Sequence, residues 1–245
     1  MTDDLDALGV SGRNYRGRLS IVGVPATSQS DAAYDAIKTD IVQCVIPPRA
    51  RLTEAELADR YTLGRASIRV ALNRLYQEAL VDVLPRYGYV VAGDDELGTR
   101  DLYQLQLVLE PTAARLAAGR VDAKQLLDLD ARCRDAKTVR TLDDATRFLH
   151  ANTNFHAAIA HATGNALMTR FVRILFERLE RQIYASGKAI EIVTNVAHTH
   201  EDLVELLIEG SDDAAEAVAR QQLADNHQII TETMTGRRRS SSMPS

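Results

Sequence analysis

The sequence predicts a mostly α-helical chain in two parts: three short helices closed by a β-hairpin, then a larger all-α helical bundle. Apolar residues recur at helical spacing through most of the 245 residues. The one β-rich run is confined to residues 80–91. Aromatic residues make up 5% of the chain and Trp is absent, while Ala and Leu dominate, a composition that favours helix. With 45% hydrophobic residues, each of two domains can bury its own core.

Residues 1–29 are polar and aperiodic, and read as a flexible N-terminal arm. Ser30 or Asp31 can cap a first helix, in which Ala33, Ile37 and Ile41 recur at fourfold spacing beside Tyr34. Pro47-Pro48 closes that segment. Thr53 and Glu56 have capping-box spacing and open a short helix through Tyr61, with Leu57 and Ala58 inward. Thr62-Leu63-Gly64 is a tight turn. A third helix runs from about Arg65 to Ala79, with Ile68, Ala71, Leu72, Leu75 and Ala79 on one stripe. Leu80–Leu84 and Tyr89–Val91 then read as strands around a Pro85-Arg86-Tyr87-Gly88 turn.

These elements bound a domain at residues 30–92, followed by a linker at 93–98. The second domain spans 99–235, with helices expected at 99–119, 123–138, 141–162, 165–186, 190–209 and 212–235. Asp122, Asp143 and Asp212 suit the starts, and Gly119, Gly164, Gly187 and Gly210 the ends. Residues 236–245 read as a disordered tail in which Arg237–Arg239 are solvated.

No run approaches the roughly 18 apolar residues of a membrane span, and the N-terminus lacks an apolar signal core, so the expectation is a cytoplasmic protein without membrane contact. Cys44 and Cys133 have no metal or redox spacing and read as buried reduced thiols. The formal net charge is −5. Its distribution matters more than its sum. Arg60, Arg65, Arg69, Arg74 and Arg86 against Glu78 and Asp82 leave residues 60–92 at +3, whereas residues 95–236 carry −7. Positive charge therefore sits locally in the segment of the third helix and hairpin, where DNA phosphates could use it.

Two short helices with a three-residue turn, then a hairpin, form a winged helix-turn-helix pattern. Arg65 and Arg69 lie four apart, near the N-terminal end of the third helix, and Asn73 continues their face. An arginine there can bond both acceptors of a guanine edge in the major groove. Ser67 can reach a phosphate or a base, and Arg86 and Gly88 sit at the hairpin tip. The partner expected of this surface is double-stranded operator DNA, with Arg13, Arg16 and Arg18 of the arm available to the minor groove.

The run Leu57-Ala58-Asp59-Arg60-Tyr61-Thr62-Leu63-Gly64-Arg65-Ala66-Ser67-Ile68-Arg69, with Glu78-Ala79-Leu80-Val81 and Arg86-Tyr87-Gly88-Tyr89-Val90, resembles the GntR family of bacterial transcription regulators. The family has DNA-contacting Arg where Arg65 and Arg69 stand, and Gly where Gly88 marks the wing tip. The chain departs from the family pattern at Ala55, Gly64, Ala66 and Ser67, which bears on the operator sequence.

The second half resembles the ligand-binding FCD domain of the FadR-type branch, through the segments 102–118 and 152–165 and through His200 with Leu203, Leu206 and Leu207, which resemble its His-led penultimate helix. Many such domains hold a divalent metal, such as Zn or Ni, with one Asp and three His converging inside the bundle. His156 and His200 match, but Asn152 stands at the Asp position and Gln222 at the last His position. Three readings follow: a weakened metal site at these four residues, a metal-free polar pocket that hydrogen-bonds an effector, or core histidines. Gln106 stands where the family often has an Arg that grips an acidic ligand; Arg115 and Arg173 are candidate substitutes. His150, His161, His198 and His227 read as surface or structural.

The expected function is ligand-responsive, sequence-specific transcription regulation of a metabolic operon by a homodimer. The expected effector is a small organic metabolite, an acid being one candidate. A metal-dependent hydrolase built on His156 and His200 is disfavoured, because no nucleophile–base pair and no phosphate-binding glycine loop accompany them. The acidic total charge disfavours a non-specific DNA-compacting protein.

Overall fold

Several helix starts in this chain are fixed by side chains that satisfy the first unpaired backbone N–H groups. In the computed structural model, which describes residues 28–93, 96–134, 139–196 and 200–236, three helices open on complete capping boxes: Ser28 with Asp31, Thr53 with Glu56, and Thr141 with Asp144. Each such cap contributes about 1 kcal/mol. The N-terminal arm with Arg13, Arg16 and Arg18, the tail with Arg237–Arg239, and His198 lie outside the described residues.

The first part runs α1 (Gln29–Val42), β1 (Arg51–Leu52), α2 (Glu54–Tyr61), α3 (Arg65–Gln77), β2 (Val81–Leu84) and β3 (Gly88–Val91). The α3 stripe is buried as its spacing predicts, with Ile68, Ala71, Leu72 and Leu75 each 0% exposed against Ile37 and Ile41 of α1. Ala79 does not extend that stripe. The helix stops at Gln77, and Ala79 takes a left-handed φ of 53°. Strand β1 has no signature in the sequence, because two residues carry no alternation. It pairs antiparallel with β3, giving a three-stranded sheet of order β1-β3-β2. Gly88 makes this pairing possible: its φ is +95°, and a Cβ there would stand 2.5 Å from the Leu52 carbonyl oxygen.

The second part contains α4 (Glu96–Ala117), α5 (Ala123–Arg134), α6 (Leu142–Ala162), α7 (Ala166–Ala185), α8 (Ala189–Val196), α9 (Glu201–Glu209) and α10 (Asp212–Thr235). Its core centres on Phe155, Leu126, Ile192 and Leu207. Helix α4 begins inside the stretch read as linker. Pro111 sits within it and cannot donate to the carbonyl of Leu107 one turn back. Arg220 of α10 supplies a donor to that carbonyl instead, at 3.4 Å. The single helix expected over 190–209 is two helices. The backbone N–H of His200 bonds Asp130 Oδ1 of α5 at 3.1 Å rather than a preceding helical carbonyl, and α9 restarts from His200.

Candidate DNA-reading surface and ligand cavity

The third helix presents its arginines because the opposite stripe is consumed by the core. Arg65 and Arg69 are exposed, as are Asn73 and Arg86. Arg65 makes no hydrogen bond or ion pair among the described residues, so its guanidinium is available. Arg69 is held in a bidentate pair by Glu54 of α2, with both contacts at 2.8 Å. That pair, chiefly through its hydrogen bonds, keeps the Glu54 carboxyl below its ordinary pKa. Arg60 and Arg74 are engaged within the fold: Arg60 bonds Asp40, and Arg74 bonds Asp31 while stacking over Tyr34. The exposed arginines of the third helix and the hairpin tip are therefore Arg65, Arg69 and Arg86.

Asn73 links recognition helix to wing, accepting from the Tyr89 hydroxyl at 3.4 Å. At the wing tip the Tyr87 N–H donates to the Leu84 carbonyl, closing a turn with Pro85 and Arg86 at its centre. Arg86 has φ +70°, a conformation usually left to Gly or Asn at that position. This conformation costs roughly 1–2 kcal/mol and leaves a cationic side chain exposed at the hairpin tip.

In the helical domain, Gln106, Asn152, His156, His200 and Gln222, singled out from sequence, line one cavity of about 290 Å3. The His156 ring stacks on Phe176 and its Nδ1 lies 3.1 Å from Glu110 Oε2. The His200 ring stacks on Phe155, and its Nδ1 lies 3.3 Å from Asp130 without aligning as a hydrogen bond. Burial holds His200 below its ordinary pKa, with Asp130 opposing, so the imidazole is neutral at physiological pH. Thr153 donates to Glu180, whose carboxyl is pushed up to about 7 by burial. His227, read as structural or surface, also lines the cavity and stacks on Tyr103 at 3.6 Å. Arg115 pairs instead with Asp213 and Glu216, and Arg173 with Asn154; neither lines the cavity.

The donors do not fit a tight divalent-metal site. At the four matched positions His156 and His200 supply imidazoles, but Asn152 and Gln222 offer only neutral amide oxygens, which are weak ligands. Among the described residues no three His, Cys, Asp or Glu side chains are arranged to hold a metal ion. Glu110, Asp130 and Glu180 escaped the sequence reading. The available signal for Glu110 was an acidic residue within an apolar run, one turn after Gln106.

Helix α7 joins the two regions. Phe176, Leu179, Glu180 and Ile183 form the stripe that faces the cavity. The adjoining stripe faces the small domain. Glu177 pairs with Lys38 of α1 at 2.7 Å, and Lys38 also pairs with Glu78 at the end of α3 at 3.0 Å. Burial alone would lower the Lys38 pKa; the Glu177 charge overrides it and holds the ammonium above its ordinary value. Arg178 donates to the Ala79 carbonyl at 3.3 Å, and the buried Arg181 donates to the carbonyl of Ala92. The Cys44 thiol lies 3.7 Å from the Arg181 carbonyl. The C-terminal end of the recognition helix is thus fastened to a helix that walls the cavity.

A winged helix-turn-helix joined to a helical bundle with an internal cavity is the architecture of a two-domain regulator, and the families this chain matches are transcription regulators, not enzymes. Residues 29–91 match the gntR family of bacterial regulatory proteins, and residues 101–225 match the FCD domain. The chain belongs to the GntR family, in its FCD-bearing, FadR-type branch. It is 24% identical over 204 residues to the HTH-type transcriptional repressor RspR of Escherichia coli K12, covering 82% of this chain and 88% of that one. It is 25% identical over 211 residues to the repressor GlaR of the same strain, covering 83% and 96%. Its fold matches E. coli McbR/YncC with a TM-score of 0.70 at 18% identity, over 85% of this chain and 99% of that one. A GntR regulator from Rhodococcus sp. RHA1 matches with a TM-score of 0.65 at 19% identity, over 87% and 100%. Among the described residues no helix is long and apolar enough to cross a membrane.

Proposed function

We propose that this chain is a ligand-responsive, sequence-specific regulator of a metabolic operon, acting as a cytoplasmic homodimer on operator DNA with a small organic metabolite as effector. Arg65 reads a base in the major groove, with Ser67, Arg69 and Asn73 along the same helix. Arg86 and Gly88 bring the wing to the flanking backbone. The proposal requires Arg69 to exchange Glu54 for DNA, which costs little because an exposed ion pair contributes under about 1 kcal/mol.

The observation that carries the regulatory part is the double engagement of α7. A ligand that moves Phe176, Leu179 or Glu180 moves the same rigid helix whose Glu177, Arg178 and Arg181 hold the small domain. Two poses of the recognition helices then differ in ligand affinity, which is what coupling between two sites requires.

The test of DNA reading is Arg65→Ala, assayed by gel shift on the protein's own promoter at fixed salt. Operator affinity should fall by about 1–3 kcal/mol and discrimination at one base pair should relax. Unchanged affinity and selectivity would remove Arg65 from the recognition role.

A further inference from the structure

We propose that the effector carries a positively charged nitrogen, an ammonium or amidinium group, that docks on the carboxylate of Glu110. The inference rests on the reading of this cavity as the effector site. It concerns the cavity's charge, which is the reverse of what an acid-binding pocket needs.

None of the residues lining the cavity is Lys or Arg. Four carry carboxyl groups. Glu110 and Glu180 are buried in the walls, while Asp202 and Asp225 are exposed at the mouth. The Glu110 side chain is 8% exposed; its Oε2 lies beside His156, and its Oε1 has no hydrogen-bond partner among the described residues. One turn earlier on α4, the Nε2 of Gln106 is likewise buried and unpartnered. Both open hydrogen-bonding positions therefore lie on one face of one helix.

A buried carboxylate with an open lone pair is costly unless a donor, best a charged one, meets it. An anionic ligand placed here would meet the Glu110 carboxylate with no Lys or Arg in the lining to offset it. An ammonium or amidinium meets Glu110 directly and leaves the Gln106 amide to a neutral acceptor on the same molecule. Phe148 and Phe176 line the same cavity, and aromatic faces attract organic cations. At about 290 Å3 the cavity suits a small metabolite, at the low end of the usual range for small-molecule sites. A divalent metal is the other cation to weigh, and the two neutral amides at Asn152 and Gln222 leave it under-liganded.

The experiment titrates the full-length protein with 1,4-diaminobutane, 4-guanidinobutylamine, succinate and Zn2+ alone, by calorimetry and thermal melting. At least one amine should bind and raise the melting temperature, succinate should do neither, and Glu110→Gln should weaken the amine by roughly tenfold or more. A second variant guards against a folding defect. Gln106→Arg puts a guanidinium one turn from Glu110, within the cation position, so it should melt higher than the parent and lose amine binding. Preferential binding of succinate, tight binding of Zn2+ alone, binding of neither amine, or amine binding indifferent to Glu110→Gln each overturns the proposal. Promoter binding is measured alongside and separates the two claims. A protein that ignores both amines yet selects its promoter over random DNA refutes the effector's charge and leaves the regulator standing. A protein with no such selectivity refutes the regulator, and the amine titration still decides the charge.

Discussion

Replacing Glu180 by Gln removes a carboxyl that the fold keeps protonated well above its ordinary pKa. The residue is 3% exposed, and burial raises its pKa from 4.5 to about 7. The groups around it are Thr153, which donates to it, His150 at 4.0 Å, and the more distant charges of Glu177, Lys38 and Arg173. Because the folded state holds this proton more tightly than the unfolded chain, Glu180 costs nothing below pH 4.5 and becomes destabilising as pH rises towards 7. The difference between 4.5 and about 7, at 1.36 kcal/mol per unit, is about 3 kcal/mol. Gln preserves the shape and the acceptor for Thr153 without the charge. Glu180→Gln should therefore match the parent at pH 4 and exceed it by about 3 kcal/mol at pH 8, or roughly 6–12 °C in melting temperature for a domain of this size. Differential scanning calorimetry of both proteins at equal ionic strength reads this directly. Parallel pH profiles for parent and variant would refute the assignment of a buried, proton-retaining carboxyl to this wall.

Two further perturbations test the frame. Gly88→Ala forces a Cβ against the Leu52 carbonyl at a φ of +95°, and should cost about 2–3 kcal/mol while reducing operator affinity, measured by chemical denaturation and gel shift. A variant as stable as the parent would show that β1 does not pin the wing. Lys38→Met strips the ammonium shared by Glu78 and Glu177 and should split one thermal transition into two, seen by calorimetry, because the domains lose their central tie. An unchanged single transition would shift that role to Arg178 and Arg181.

The recognition helix was legible because its signals are local. Thr53 and Glu56 announce the preceding helix, and Ile68, Leu72 and Leu75 repeat at helical spacing, so the arginines fall on the outer face without reference to any other element. The cavity was legible only in part. Gln106, Asn152, His156, His200 and Gln222 could be grouped through family likeness, yet the charge of the cavity could not. Glu110 and Glu180 look like ordinary helical glutamates until α4, α6 and α7 pack together. The break between α8 and α9 depends on Asp130, seventy residues away, capturing the His200 N–H. The seam was the least legible of all. Lys38, Glu78, Glu177 and Arg181 resemble solvated charges in sequence and meet only after both domains have formed.

The two cysteines sit in unlike surroundings. Burial pushes the Cys133 thiol up to about 12 and seals it from solvent, whereas Cys44 is half-buried against the backbone of α7. A maleimide dye added to native protein should therefore go to one site, and that site lies where the two halves of the molecule touch. The chain comes with its own attachment point for a fluorophore, and emission from Cys44 would register any parting of the third helix from the helical bundle without a single engineered residue.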